Sequence, residues 1–319
     1  MIDWNKAAVV FPGQNSQEVG MGADLAQTYP EAAAVFEEAD AALGYAVSEL
    51  CWRGPAEQLD LTQYTQPALF TTCVAFLRAF DAALGAPRPA FLAGHSLGEI
   101  TALVAAGSLR FADGLHLVAE RGRLMHEAGE TNPGSMAAVL GADVATVEAA
   151  CAQAAEETGA PAVLANDNCP GQLVIAGAHA ALDRAVALLK EGGVKRIIPL
   201  AVSVAGHSPL LANAAAQLRD VLGAIDFSPP AVPVVANTSA APLTDAGAIR
   251  AELAAQLTSR VRWTESVQAM RAAGVETFIE IGPKDVLTKL LRRIDDAATG
   301  VALNSAEALR QLAREHAAG

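Results

Sequence analysis

Short apolar runs ending in glycine- or proline-rich turns alternate along this chain with longer stretches whose apolar residues recur every three or four positions. That alternation predicts an α/β protein built on a parallel sheet. Residues 7–11 form the first run and read as a buried strand feeding Pro12-Gly13-Gln14-Asn15-Ser16-Gln17, a loop of turn formers and side-chain amides. Helical spacing follows over 29–43, with Pro30 in the first turn and Val35, Phe36 and Ala39 on one face. A second helix is expected from Pro67 to Gly85, carrying Leu69, Phe70, Cys73, Phe76, Leu77 and Phe80 inward. An apolar run then reaches Gly94, helical spacing resumes at Ile100, Leu103 and Val104, and another helix is expected over about 114–128.

From Gly134 the rhythm changes. Residues 135–140 read as a strand, 144–158 as a helix, 162–165 and 172–176 as strands, 179–189 as a helix and 195–200 as a strand. This β-α-β-β-α-β order is the ferredoxin-like split pattern, so a small domain over 133–202 is expected to interrupt a large one made of 1–132 and 203–319. Beyond it, 232–235 and 275–281 read as strands and 246–257 as a helix. Gly282-Pro283 should open another helix, bearing Lys289, Arg292 and Arg293, and 315–319 should fray. No internal repeat or low-complexity linker interrupts the pattern.

The chemistry concentrates where the run ending at Gly94 meets the next helix, in Gly94-His95-Ser96-Leu97-Gly98. Strand, sharp turn and helix in that order form a nucleophile elbow. Its glycines are needed where strand and helix backbones approach too closely for a Cβ, and the turn lifts the serine hydroxyl out of the sheet. The Leu97 amide, at the helix start, then points at whatever oxygen the serine attacks. A chance pentapeptide is the plain alternative in a chain with 26 glycines; the flanking strand and helix weigh against it. The 12–17 loop lies where open α/β sheets place their sites, although it also reads as an ordinary turn.

Six histidines compete to be the base. His95 should point away from Ser96 across the strand, His116 and His126 lie on helices, His179 starts a helix of the small domain, and His316 sits in the polar tail. His207 remains, in a loop before Pro209, with a surface position at a helix start as its plain alternative. Arg121 falls at helical spacing with Val118 and Met125, inside an apolar stripe, where a cation is costly unless paired. It either forms an internal salt bridge, for which Glu99 is available, or awaits a ligand carboxylate, which arginine grips bidentately. A serine on an elbow with a distant histidine implies acyl transfer through an acyl-enzyme. Since no acid stands clearly between them on the large domain, a Ser-His dyad with a neutral orienting group is expected.

Composition narrows the classes. With 319 residues, 52% of them hydrophobic, the chain can bury a full core. A formal charge of −13 and a pI near 4.9 argue against general affinity for nucleic acid or anionic membranes. No apolar stretch reads as long enough to span a bilayer and the first residues do not resemble a secretion signal, so a soluble cytoplasmic protein is expected. Cys51, Cys73, Cys151 and Cys169 lack paired spacing, which suggests neither a zinc site nor a disulfide framework.

Taken together, Phe11-Pro12-Gly13-Gln14, Thr65-Gln66-Pro67-Ala68-Leu69, Gly94-His95-Ser96-Leu97-Gly98-Glu99, Arg121-Gly122, Asn166-Asp167-Asn168 with Pro170-Gly171-Gln172, His207-Ser208-Pro209 and Glu280-Ile281-Gly282-Pro283 resemble, in order, the malonyl-CoA:acyl carrier protein transacylases. The resemblance spans nearly the whole chain and implies an α/β-hydrolase-like large domain with a ferredoxin-like insert. It implies that Ser96 is acylated by malonyl-CoA, that His207 moves its proton, and that the amides of Gln14 and Leu97 form the oxyanion hole. Arg121 would hold the malonyl carboxylate, Gln256 would help orient His207, and Asn168 would contact substrate. The implied partners are malonyl-CoA and an acyl carrier protein whose phosphopantetheine thiol receives the acyl group, in fatty acid biosynthesis, with no metal or other cofactor and a monomeric enzyme.

Two departures stand out: Asn15 replaces the second glycine of the usual Gly-Gln-Gly-Ser loop, and Gly206 precedes His207 where many malonyl-selective relatives carry a larger residue. Gly206 leaves acyl size open and keeps a polyketide-associated acyltransferase or an acyl hydrolase as the alternative. A carrier-docking module with a dead site is the non-enzymatic reading. Since such carriers are acidic, local basic patches are expected at Lys190, Lys195 and Arg196, and at Lys289, Arg292 and Arg293.

Overall fold

The computed structural model describes residues 2–200, 202 and 204–317. The expected domain boundary at 202/203 abuts Ser203, which lies outside them, as do the last two residues of the tail expected to fray. In chain order the strands are β1 (Ala7–Phe11), β2 (Phe91–Gly94), β3 (Gly134–Leu140), β4 (Ala162–Cys169), β5 (Gln172–Ala178), β6 (Arg196–Pro199), β7 (Val234–Val235), β8 (Pro242–Leu243), β9 (Val261–Arg262), β10 (Thr277–Ile281) and β11 (Thr299–Leu303).

The first sheet runs β11-β10-β1-β2-β7-β8, parallel throughout except for the last pair. All five residues of β1 are buried, as an unbroken apolar strand covered on both faces requires. Helices Thr62–Leu84 and Leu97–Ala105 pack on it, helix Phe111–Thr131 packs against both of them, and the main core includes Phe11, Phe36, Phe70, Phe76, Leu103 and Leu115.

Helix Thr62–Leu84 starts five residues before the expected Pro67. A proline at that point removes only its own bond to the preceding turn. Before it stand the buried polar groups Thr62, Thr65 and Gln66, which leave no apolar period to read. Contrary to the expectation from sequence, this helix has the length and composition of a bilayer span. It is nevertheless packed in the core, with 78% of its most apolar window buried. The helix expected to open at Gly282-Pro283 begins later, at Val286. The last described elements are β11 and helix Ala306–Ala317, which includes 315–317 of the expected tail.

The second sheet runs β6-β3-β5-β4-β9. Its first four strands are antiparallel and carry helices Val144–Thr158 and His179–Glu191 over a separate core of Val139, Val147, Ile175 and Leu182. β9, contributed by the chain after the insertion, pairs in parallel with β4 and stitches the small sheet to the large unit. The carboxyl ends of β1 and β2 thereby share a cavity with residues of β4 and β5.

Candidate active site

At the carboxyl end of β2 the chain turns through Ser96 into helix Leu97–Ala105, with φ 52° and ψ −105° at the serine. Left-handed backbone at a non-glycine residue is strained and persists only where its surroundings hold it. A Cβ on Gly94 would lie 1.9 Å from the Gly98 carbonyl carbon, and one on Gly98 would lie 2.1 Å from the Phe11 oxygen. Only glycine permits strand, turn and helix to meet this closely. Asn237, just past β7, straps the elbow: its Oδ1 accepts from the Ser96 amide at 2.6 Å and its Nδ2 donates to the Gly94 carbonyl at 2.7 Å. Sequence reasoning missed Asn237; its one signal is a polar amide directly after the buried run Val234-Val235-Ala236.

His207 reaches the elbow from the loop before Pro209, with Nε2 2.8 Å from Ser96 Oγ. It is buried and also left-handed, at φ 57°. Nδ1 meets the carbonyl oxygens of Gln256 at 2.9 Å and Ser259 at 3.1 Å. Carbonyls only accept, so Nδ1 carries the hydrogen and Nε2 presents its lone pair to the serine. The orienting group is thus neutral backbone, and Gln256 acts on the imidazole through its carbonyl rather than its side chain. Burial, reinforced by the positive charge of Arg121, pushes the imidazole pKa down to about 3, so the ring is neutral at physiological pH.

Arg121 lies in the same buried space. It donates from Nη2 to Ser96 Oγ at 3.1 Å and to Gln256 Oε1 at 2.8 Å, and from Nη1 to Gln66 Oε1 at 2.8 Å. The salt bridge with Glu99 that the sequence left open does not form among the described residues. Gln256 stands between the two, accepting from Arg121 and donating through Nε2 to Glu99 and to the Ser96 carbonyl. An amide can do this because it offers an acceptor at one end and donors at the other. Burial pulls the guanidinium pKa down to about 10, against the opposing charge of Glu99. Burial and the neighbouring Glu252 push Glu99 well above the usual carboxylate range, while Gln256, Asn237 and Arg121 pull it back.

Ser96, His207, Arg121, Gln14, Leu97 and Asn168 all line one cavity of about 290 Å³ between the two sheets. Among the described residues, no acceptor meets the backbone amide of Leu97 or of Gln14, which leaves both available to a developing oxyanion. Asn168 does not bond to the serine; its Oδ1 pairs with His95 Nε2 at 2.8 Å. His95 therefore lines the cavity, tethered to the small sheet, with its Nε2 directed to Asn168 and not to Ser96. Gly206 opens a further volume, since a Cβ there would find only Met136 Sδ at 3.8 Å and Met125 Cε at 4.0 Å. Gln66 appeared in the sequence only as part of a motif, and its hold on Arg121 was not anticipated.

Comparison with known proteins identifies the family. The acyl transferase domain family matches residues 8–318. A malonyl CoA-acyl carrier protein transacylase of Escherichia coli K12 is 48% identical over 302 residues, 95% of this chain and 97% of that one. A crystal structure of an acyl carrier protein S-malonyltransferase from Vibrio cholerae superposes with a TM-score of 0.93 at 45% identity, covering 96% of this chain and 99% of that one. A malonyl-transacylase solved in complex with its type II polyketide acyl-carrier protein gives 0.93 at 42% identity, over 97% and 99% of the two chains.

Proposed function

The chain belongs to the acyl transferase domain family, and from that premise we propose that it carries malonyl from CoA to the phosphopantetheine thiol of acyl carrier protein as an ester on Ser96. It is an acyltransferase, an [acyl-carrier-protein] S-malonyltransferase of fatty acid biosynthesis. The observation that carries the reading is the position of Ser96 Oγ, 2.8 Å from His207 Nε2 and 3.1 Å from Arg121 Nη2.

In the first half-reaction Nε2 takes the hydroxyl proton while Oγ bonds to the thioester carbonyl carbon. The oxyanion is received by the amides of Leu97 and Gln14. The intermediate then collapses, the carbon–sulfur bond breaks, and the departing CoA sulfur takes the proton from Nε2. The carrier's thiol repeats the sequence in reverse, giving its proton to His207, attacking the ester and releasing Ser96. Arg121 holds the malonyl carboxylate, Gln256 steadies both the clamp and the base, and Asn168 shapes the wall through His95. Neither half-reaction requires a metal or a redox cofactor. One chain supplies every group, so the enzyme acts as a monomer, in the cytoplasm where CoA thioesters and carrier proteins are found. The 133–202 segment serves as the inserted lobe closing over the serine.

Radiolabelled malonyl-CoA should label the wild-type protein, and the label should be discharged by holo carrier protein. Label that persists in Ser96→Ala would overturn the assignment. The open volume beside Gly206 supports a second reading, an acyltransferase of polyketide assembly or an acyl hydrolase. A panel of acyl-CoAs separates them: preference for methylmalonyl, or release of free acid, favours the second.

A further inference from the structure

The loop that carries the Gln14 amide is held partly from within, where the Ser16 amide donates to the Gly13 carbonyl at 3.2 Å, and partly from distant parts of the chain. Asn15 adopts φ 80°, which disfavours a side chain, and its amide is taken by Gln17 Oε1 at 2.7 Å, within the same loop. Among the described residues neither the Asn15 nor the Gln17 carbonyl finds a donor within the loop, so both depend on a partner from elsewhere. Lys284 supplies one for both: its Nζ donates to the carbonyl of Asn15 at 3.1 Å and to that of Gln17 at 2.8 Å. Lys284 comes from the turn after β10, some 270 positions away in sequence, and is itself left-handed at φ 63°. Its own carbonyl accepts from Asn304 Nδ2 at 3.0 Å. The far side of the loop is moored separately, Gln17 Nε2 to Asp60 at 2.8 Å and Gln14 Nε2 to Thr62 Oγ1 at 3.2 Å.

We propose that Lys284 is a positioning residue for the acyl-transfer reaction: its ammonium pins the Asn15 and Gln17 carbonyls, which fixes the backbone immediately after Gln14 and so holds the Gln14 amide aimed at the oxyanion. Two left-handed residues from distant parts of the chain are locked to each other, which keeps the donor oriented before substrate arrives. An oxyanion donor acts only if it is already in place as charge develops, so a small loosening of the loop is felt in the transition state and little in substrate binding. Lys284 touches neither the serine nor the substrate and acts through the loop alone. The inference rests on the reading of Gln14 as an oxyanion donor.

Lys284→Met keeps the length of the side chain and the same backbone strain but removes the donors. It should lower kcat for malonyl transfer about tenfold, below the roughly 10²- to 10³-fold cost of deleting an oxyanion donor outright. The KM for malonyl-CoA should stay within about twofold and Tm within a few degrees. Lys284→Arg, which can reach both carbonyls, should recover most of the rate. Unchanged kcat in Lys284→Met would overturn the proposal, as would losses of kcat and Tm together that Lys284→Arg does not repair. Either failure is distinct from failure of the assigned activity, since wild-type labelling at Ser96 is measured alongside.

Discussion

Arg121 donates to the hydroxyl of Ser96 at 3.1 Å, so the proposed carboxylate clamp also rests on the proposed nucleophile. The same positive charge lowers the proton affinity of His207. On the proposed function, a malonyl carboxylate arriving at the guanidinium would neutralise that charge, free the hydroxyl and make the imidazole a better base. An acetyl group does none of these things. Arg121→Ala should therefore cut kcat/KM for malonyl transfer by roughly 30-fold or more, the range expected when one partner of a buried charge pair is removed. Acetyl transfer should change far less. Parallel kinetics with malonyl-CoA and acetyl-CoA check this, and equal losses would show that Arg121 does not choose the cargo.

The depressed proton affinity of His207 sets a pH expectation. An imidazole near its ordinary pKa of 6.5 would lose half its basic form at that pH, but one lowered to about 3 stays neutral well into acid. The acid limb of kcat/KM for malonyl loading should lie well below pH 6. Stability should run the other way. The unfolded chain binds a proton below about pH 6.5 that the folded chain refuses, so this contribution is present above 6.5 and is lost progressively as pH falls toward 3. Loading rates and urea midpoints measured across that window, with His207→Gln as the control, test both signs.

Gly94→Ala should fail for a steric reason. The added carbon would lie 1.9 Å from backbone that cannot move without dismantling the elbow. The expected result is a large loss of stability, about 3 kcal/mol or more, measured by denaturant unfolding. Gly206→Ala is the contrasting case, because its nearest neighbours are side-chain ends at 3.8 and 4.0 Å. It should unfold like wild type and shift only the acyl preference.

Asn237→Ala removes two hydrogen bonds that hold the strained turn, at 2.6 and 2.7 Å. Loss of a buried hydrogen-bond partner costs about 1–3 kcal/mol. The variant should be destabilised by that order, and kcat should fall with KM for malonyl-CoA nearly constant, since the serine loses its aim. Steady-state kinetics beside thermal unfolding would show whether the two effects occur together.

Carrier docking has to overcome like charge, as the chain carries −13. Not every residue expected in the basic patches is equally available. Lys289 is paired with Asp285 at 2.7 Å, and Arg293 donates to Gln172 Oε1 and the Pro170 carbonyl, tying its helix to the turn between β4 and β5. Lys190, Lys195, Arg196 and Arg292 are exposed. Reversing Arg292 and Arg196 to glutamate should raise KM for carrier protein several-fold at low salt, with little change at high salt and none in KM for malonyl-CoA. An unchanged carrier KM at low salt would clear these residues of any part in docking.

The amino-acid sequence alone determined what depends on near neighbours. Strands such as β1 and helices such as Val144–Thr158 follow from the period of their apolar residues, and the elbow at Ser96 follows from two glycines placed where backbones must touch. What surrounds the serine could not be read this way. Ser96 meets His207 across 111 positions, Asn237 across 141 and Gln256 across 160, and a hydrogen bond at that separation leaves no periodic trace. The tertiary structure decided that Glu99 reaches Arg121 only through an amide, that backbone carbonyls fix the tautomer of His207, and that Lys284 moors the Gln14 loop. Each of these depends on which polar groups are buried together, and only packing brings such groups into reach of one another.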